Sequence, residues 1–342
     1  MMSEAPHFKS SGRYQPIKAI GEGGVGSIFI ALDTQLNREV ALKRLKNAAD
    51  FDAIMRESQI LASLNHPNIV SVFDFGIDEE GAYVVMELIK GKMVNHWASK
   101  NPIPLSLFRE FADQSLQGLS LAHGQGLIHR DIKPQNIMMD YDGKKVLVKL
   151  LDFGLAESSR LPGQEEEVGT VMGSVHTIAP EQLLGEPASI STDIYSLACV
   201  YYYALTGRYP YEGSSVEEIV QGHLHGTFTP LNQRRPAIPP LLAQVIGRML
   251  SKNPLERPET AEKAREQILA ITKSAVFHEK DFGLKQFVAK GPSIYGKSAA
   301  QTEVIDISKV KRRNIFIRLA WGVNLVTTLA AAGFIYWKYF KI

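Results

Sequence analysis

The apolar positions change their period several times along the chain. From Arg13 they fall in short β-branched and aromatic stretches, RYQPIKAI, SIFIALD and REVALKRL, bounded by Gly, Asp and Asn, which is the pattern of a small antiparallel sheet. A helical recurrence comes next, with Ile54, Glu57 and Leu61 on one face of a helix that Asp50 can cap and that runs to about Leu64. Two more strands are predicted over residues 69–75 and 82–88. After Pro104, which suits a helix start, Leu105, Phe108, Ala112, Leu116, Leu119 and Ala122 recur at three- and four-residue steps. The stretch KKVLVKLL reads as one further strand, and helices are predicted near 215–222, 239–251 and 259–272. The expected class is therefore α+β, sheet first and helices after.

Three polar motifs sit on this frame. GEGGVG places Gly21, Gly23 and Gly26 in a GxGxxG spacing, which lets backbone approach a phosphate but also opens dinucleotide folds and marks plain hairpins. The residues after it discriminate: a dinucleotide fold runs into a helix, whereas residues 27–32 read as a strand and the next strand carries Lys43 in ValAlaLeuLys. Glu57 lies on the apolar face of its helix, where an unpaired carboxylate is expensive, and Lys43 is the cation expected to meet it. HRDIKPQN at 129–136 and the DFG at 152–154 then put acids, a lysine and a carboxamide into short spans, which points to a cleft that handles phosphate and metal.

Together these motifs resemble the protein kinase family, over about residues 13–272. The resemblance implies a two-lobed fold, with an N-lobe at 13–88 and a mainly helical C-lobe at 89–272. It implies a nucleotide site built from Gly21, Glu22, Gly23, Gly24, Val25, Gly26, Ile28, Ala41, Lys43, Glu57, Met86, Glu87 and Leu88. Met86 would be the gatekeeper, a role compatible with its being ordinary core, and the backbone of residues 87–89 the edge that meets adenine. Asp131 would orient a substrate hydroxyl for in-line attack on the γ-phosphate of ATP, and Lys133 would stabilise the transferred charge. Asn136 and Asp152 would hold Mg²⁺, with Mn²⁺ as an alternate, because oxygen donors suit a hard cation. Lys133 within DIKPQN resembles serine/threonine kinases and not tyrosine kinases. His129 would support backbone, Asp193 would brace the catalytic loop, and Arg257 would pair with Glu181 of AlaProGlu at 179–181.

Residues 155–178 are the expected activation loop. Ser174 and Thr177 depart from the family pattern, where threonine and tyrosine are usual, so substrate docking is expected to be atypical. Thr170 has the spacing of a primary phosphorylation site, with Arg130 as the cation for the phosphate; the plainer reading is a polar loop residue. Glu165, Glu166 and Glu167 read as a solvated charge run or a partial phosphate mimic.

The remaining sequence adds compartment and anchoring. Residues 1–12 read as a flexible lead without a secretory signal, and 273–310 as a juxtamembrane linker of mixed polarity. LysArgArg at 311–313 precedes an apolar stretch at 315–337, which as a helix is about 34 Å long, enough to cross a hydrocarbon core of roughly 30 Å. A buried soluble helix is the competing reading. In a membrane, residues 311–342 would be a single-pass anchor, with the basic cluster keeping the catalytic domain in the cytoplasm and Asn324 favouring a partner helix, hence a homodimer. One cysteine, Cys199, among 342 residues makes neither an internal disulfide nor a zinc site, which agrees with a reducing compartment. The formal net charge of +2 gives no reason to expect nucleic acid as a partner. The expected function is a membrane-anchored serine/threonine protein kinase acting on protein substrates, resembling bacterial membrane-bound kinases, with a pseudokinase scaffold as the alternative and a small-molecule phosphotransferase as a weaker third.

Overall fold

The computed structural model describes residues 12–22, 26–45, 59–98, 101–153, 170–171, 175–274 and 305–306. It divides into two units, Met1–Pro162 with Gly173–Glu303, and Gly163–Met172 with Val304–Ile342. In the second unit two short strands, Thr170–Val171 and Ile305–Asp306, pair antiparallel.

The first unit begins with five antiparallel strands in the order β1-β2-β3-β5-β4: β1 (Tyr14–Glu22), β2 (Gly26–Asp33), β3 (Arg38–Leu45), β4 (Val72–Asp78) and β5 (Gly81–Met86). Alternation sorts their side chains as a pleated sheet requires. Ile30, Ala41, Leu45, Val84 and Met86 join the main core, while Phe29, Ala31, Val40, Leu42 and Val85 form a separate cluster on the opposite face. Gly26 is fixed by this packing, since a Cβ there would stand 1.8 Å from the carbonyl oxygen of Arg44 on the paired strand. Of the expected helix over residues 50–64, the described part is α1 (residues 59–63).

Two strand expectations shift. The strand expected at 69–75 begins at Val72 and runs on to Asp78, because Ile69 and Val70 are taken by another sheet: Ile69 makes a parallel bridge to Leu150, and Val70 N–H donates to Leu150 O at 3.0 Å. The strand expected at 82–88 ends at Met86, and Glu87 N–H turns aside to Ser71 O at 2.9 Å.

That other sheet is β6 (Lys92–Met93), β7 (Ile137–Tyr141) and β8 (Val146–Leu150), in that order. The described helices after α1 are α2 (Val94–Ala98) and α3 (Leu105–Gly124), which pack on this sheet, then α4 (Pro180–Leu183), α5 (Ile190–Thr206), α6 (Val216–His225), α7 (Leu231–Arg234), α8 (Pro240–Met249) and α9 (Ala261–Ser274). The centre is the crossing of α3 and α5, where Phe108 and Phe111 meet Tyr201 edge-on at 5.2 and 5.6 Å. Almost every residue of α5 is buried, so this helix is an internal post. Ser189 caps its start and Gly207, at φ 72°, its end.

Among the described residues no helix is long and apolar enough to cross a membrane. The expected span at 315–337, with Asn324, lies outside the described residues, as do the lead at 1–11 and most of the linker.

Candidate active site

Lys43 owes its position to sheet register. It pairs with Ile28 on β2 and Val84 on β5 and shares the inner face with Ala41 and Leu45. Its side chain is 5% exposed, and Nζ lies 2.8 Å from Oδ1 of Asp152. Burial by itself would push the Asp152 carboxyl up, but Lys43, with help from Lys133, holds it below the usual carboxylate value. Glu57, the expected partner of Lys43, lies outside the described residues, as do Gly23, Gly24 and Val25. Gly21 and Glu22 are the last residues of β1 and Gly26 the first of β2, with Gly21 opposite Ile28 and Glu22 opposite Ser27. Met86 is buried at the end of β5, opposite Ala41 and Val72, and Leu88 packs half-buried on the core just beyond it.

Asp131 owes its position to side chains. Arg130 is left-handed at φ 66°, and Asp131 N–H donates back across it to His129 O at 2.8 Å. A non-glycine residue there costs about 1–3 kcal/mol, so surrounding bonds must hold it. Asp193 on α5 does so: its carboxylate accepts the backbone N–H groups of His129 and Arg130, each at 2.8 Å. His123 Nε2, from the last turn of α3, lies at 2.8 Å from the same carboxylate. The buried ring of His129 lies 4.5 Å from that of Phe153, and neither of its nitrogens reaches a partner among the described residues. It is therefore placed as packing under the loop.

The Asp131 carboxylate is gripped on one side only. Oδ2 receives Lys133 Nζ at 2.6 Å and Asn136 Nδ2 at 3.1 Å, and Asn136 Nδ2 also donates to Asp131 O at 2.8 Å. These contacts leave Asp131 Oδ1 and Asn136 Oδ1 without a bond to any described residue. Asn136 is tied to the neighbouring strand through Leu151 N–H, which donates to Asn136 O at 2.8 Å. One residue further, Asp152 is left-handed at φ 50°. Left-handed Arg130 thus opens the short loop in which Asp131, Lys133 and Asn136 are bonded together, and left-handed Asp152 follows the β7–β8 hairpin that the loop leads into, with Lys43 reaching it from the sheet. Backbone strain gathered this way is typical of sites that fix reactive groups. The oxygens of Asn136 and Asp152 fit a hard divalent cation by their chemistry.

Several further residues steady the site. Glu181 and Arg257 form a buried bidentate pair at 2.7 and 2.9 Å, and despite burial the Glu181 carboxyl is held below its usual value by that guanidinium. Lys149 on β8, 7% exposed, reaches Glu87 Oε2 at 2.7 Å and so links the strand leading to Asp152 with the segment after Met86. Gln182 bonds to the Arg130 carbonyl. Lys149, His123 and Gln182 carry no sequence signal, since each acts on a partner 52 to 70 residues away. Thr170 is described only as backbone, opposite Asp306; its side chain and Ser174 lie outside the described residues, and Thr177 is buried.

Comparison with known proteins agrees with this geometry. The family described as protein kinase domain matches residues 14–269. The chain is 35% identical over 282 residues to the serine/threonine-protein kinase PrkC of Bacillus subtilis, covering 81% of this chain and 43% of the relative. It is 33% identical to PknB of Mycobacterium leprae, covering 79% and 44%, and 36% identical to PknA of Mycobacterium tuberculosis, covering 76% and 62%. The chain thus spans about half the length of the curated relatives it matches. Among solved structures, Rad53 residues 1–466 in complex with AMP-PNP superposes with a TM-score of 0.65 at 27% identity, covering 75% of this chain and 65% of that one. A mutant form of the Mycobacterium tuberculosis PknI kinase domain superposes at 0.60 and 22% identity, a likeness of fold alone, over 76% and 96%.

Proposed function

The chain belongs to the protein kinase family, and from that premise we propose that it transfers the γ-phosphate of ATP to serine and threonine hydroxyls of proteins. The observation that carries this reading is the one-sided grip on Asp131. Lys133 and Asn136 hold Oδ2, so Oδ1 stays open to accept a hydrogen bond from an incoming hydroxyl and aim its oxygen. Lys133, beside that oxygen, faces the charge on the group in transit. Lys43 brings a buried cation to the phosphate side of the site, and the backbone after Met86 offers an edge for the base. Asn136 and Asp152 would hold Mg²⁺, which when bound neutralises phosphate charge. A catalytically weak scaffold is disfavoured because every polar group this chemistry needs among the described residues is present.

The apolar stretch at 315–337 behind LysArgArg supports a single-pass anchor with the catalytic domain on the cytoplasmic side. Asn324 supports pairing of two copies, and Thr170 phosphorylation between copies would then regulate the enzyme.

The test is transfer from labelled Mg-ATP to casein by the full chain in vesicles. Activity is expected on Ser and Thr, with Lys43→Met, Asp131→Asn and Asp152→Ala each lowering it by on the order of 10³-fold. ATP binding without transfer to itself or to casein would move the assignment to a scaffold. Mass spectrometry finding Thr170 unmodified in active enzyme would remove the regulatory part. Removing residues 311–342 should release an active enzyme from the vesicles, and continued membrane association would overturn the anchor.

A further inference from the structure

We propose that Gln182 is a positioning residue for phosphate transfer, joining the end of the activation segment to the backbone that carries Asp131. The inference rests on the kinase reading given above. Gln182 is the third residue of α4, directly after AlaProGlu. Its carboxamide uses both ends. Oε1 accepts the Ala179 N–H at 3.1 Å, which caps α4, and Nε2 donates to the Arg130 carbonyl at 3.1 Å.

The carbonyl chosen is the informative part. Arg130 is the left-handed residue immediately before Asp131. Its amide N–H is already fixed by Asp193 on α5, at 2.8 Å. Its carbonyl belongs to the peptide unit whose N–H is that of Asp131, and that N–H returns to His129 O at 2.8 Å. Turning this peptide unit would break the return bond to His129 and change ψ of Arg130 and φ of Asp131, the torsions that set where the carboxylate stands. Gln182 holds that carbonyl from α4, so the backbone on either side of the left-handed Cα is fixed from a different helix, α5 before it and α4 after it. Because α4 starts at Pro180, directly after the segment at 175–179, order in that segment reaches Asp131 through one carboxamide.

Two substitutions separate this role from helix capping. Gln182→Glu is nearly isosteric and keeps the acceptor for Ala179 N–H, but its carboxylate cannot donate to Arg130 O. Gln182→Lys keeps a donor for Arg130 O and loses the acceptor. The site is half-exposed, so the effect expected is that of a single neutral bond: Gln182→Glu lowers kcat on casein about fivefold. KM for ATP and the melting temperature should stay close to wild type, and the Arg130 carbonyl carbon-13 resonance should shift. Gln182→Lys should retain most of kcat while melting earlier. The proposal is overturned if Gln182→Glu leaves kcat within twofold of wild type, or if Gln182→Lys loses as much kcat as Gln182→Glu. Failure of the wild-type chain to transfer phosphate at all would instead remove the kinase reading and this proposal with it.

Discussion

Lys43 and Asp131 stand on opposite sides of one site and are held by different means. Lys43 sits in the interior of a five-stranded sheet, where the ladder to β2 and β5 fixes its Cα and the alternation of side chains fixes its direction. Asp131 sits on irregular backbone after a left-handed residue, and what fixes it is a set of hydrogen bonds: one accepted by Asp193 and others donated by Lys133, Asn136 and Gln182. The first arrangement spreads its constraints over many weak contacts. The second concentrates them in a few polar groups, each of which can be lost in one substitution. Single side-chain changes among the groups that hold the two residues should therefore cost more folding stability on the loop side than on the strand side.

The largest effect is expected at Asp193, which serves both amides of the left-handed turn and His123. Hydrogen bonds to a charged acceptor contribute about 1.5–3 kcal/mol each, so Asp193→Ala should cost about 5 kcal/mol in urea unfolding. By contrast Ile28→Val, opposite Lys43, should cost only about 1 kcal/mol. Comparable losses for the two variants would break the contrast.

Next comes the pair that holds α4 in place. Arg257 is fully buried and forks onto Glu181, so Arg257→Met strands a buried carboxylate and should cost about 4 kcal/mol. Removing both charges, with Arg257→Met and Glu181→Gln together, should recover part of that loss. A double variant as unstable as the sum of the two singles would show that the pair itself matters little.

The contrast also explains what could be read in advance. The strand carrying Lys43 was legible because its period, its β-branched residues and its bounding turns all sit within one short window. The α3 helix was legible for the same reason. The acids and carboxamide of the loop were legible only as a motif, since nothing in HRDIKPQN announces a left-handed Arg130. The start of β4 is not legible because the apolar residues before it have two uses: Ile69 and Val70 look like strand continuation but bond to β8. Lys149, His123 and Gln182 were not legible at all. A lysine in a strand or a glutamine after a proline looks like surface until the fold brings its partner near.

A smaller effect is expected at Lys149, which connects the two sides. Its ammonium binds Glu87 at 2.7 Å, and Glu87 Oε2 in turn accepts the Ser71 N–H at 3.4 Å. Lys149→Met should destabilise by roughly 2 kcal/mol, less than the fully buried pair because the Glu87 side chain remains about a third exposed to solvent. KM for ATP should rise more than kcat falls, since the segment that moves is the one after Met86. A fall confined to kcat would place Lys149 with the loop side alone.

The smallest effect is a pH dependence in the helical frame below the loop. His223 on α6 is buried, its Nδ1 bonded at 2.8 Å to the hydroxyl of Tyr195, two residues beyond Asp193 on α5. Around it stand the Lys252 ammonium, which donates to the carbonyls of Gly222 and His223 at 2.7 Å each, the Tyr211 ring at 4.9 Å, and His176. Burial first, and the Lys252 charge next, push the His223 imidazole down to about 3. In the unfolded chain it titrates near the ordinary value of about 6.5. Between those values the unfolded state binds a proton that the folded state refuses, so this contribution is fully present above pH 6.5 and is lost as the pH falls toward 3. The slope approaches about 1.4 kcal/mol per pH unit, so moving from pH 7.5 to 5.5 should cost roughly 1.4 kcal/mol from this residue. His223→Gln should show a correspondingly weaker pH dependence of urea stability over that interval. Hydrogen exchange at pH 5.5 should find α5 and α6 opening more readily relative to β2 and β3 than at pH 7.5. A pH dependence unchanged by His223→Gln would mean that acid acts on the loop frame through some other group.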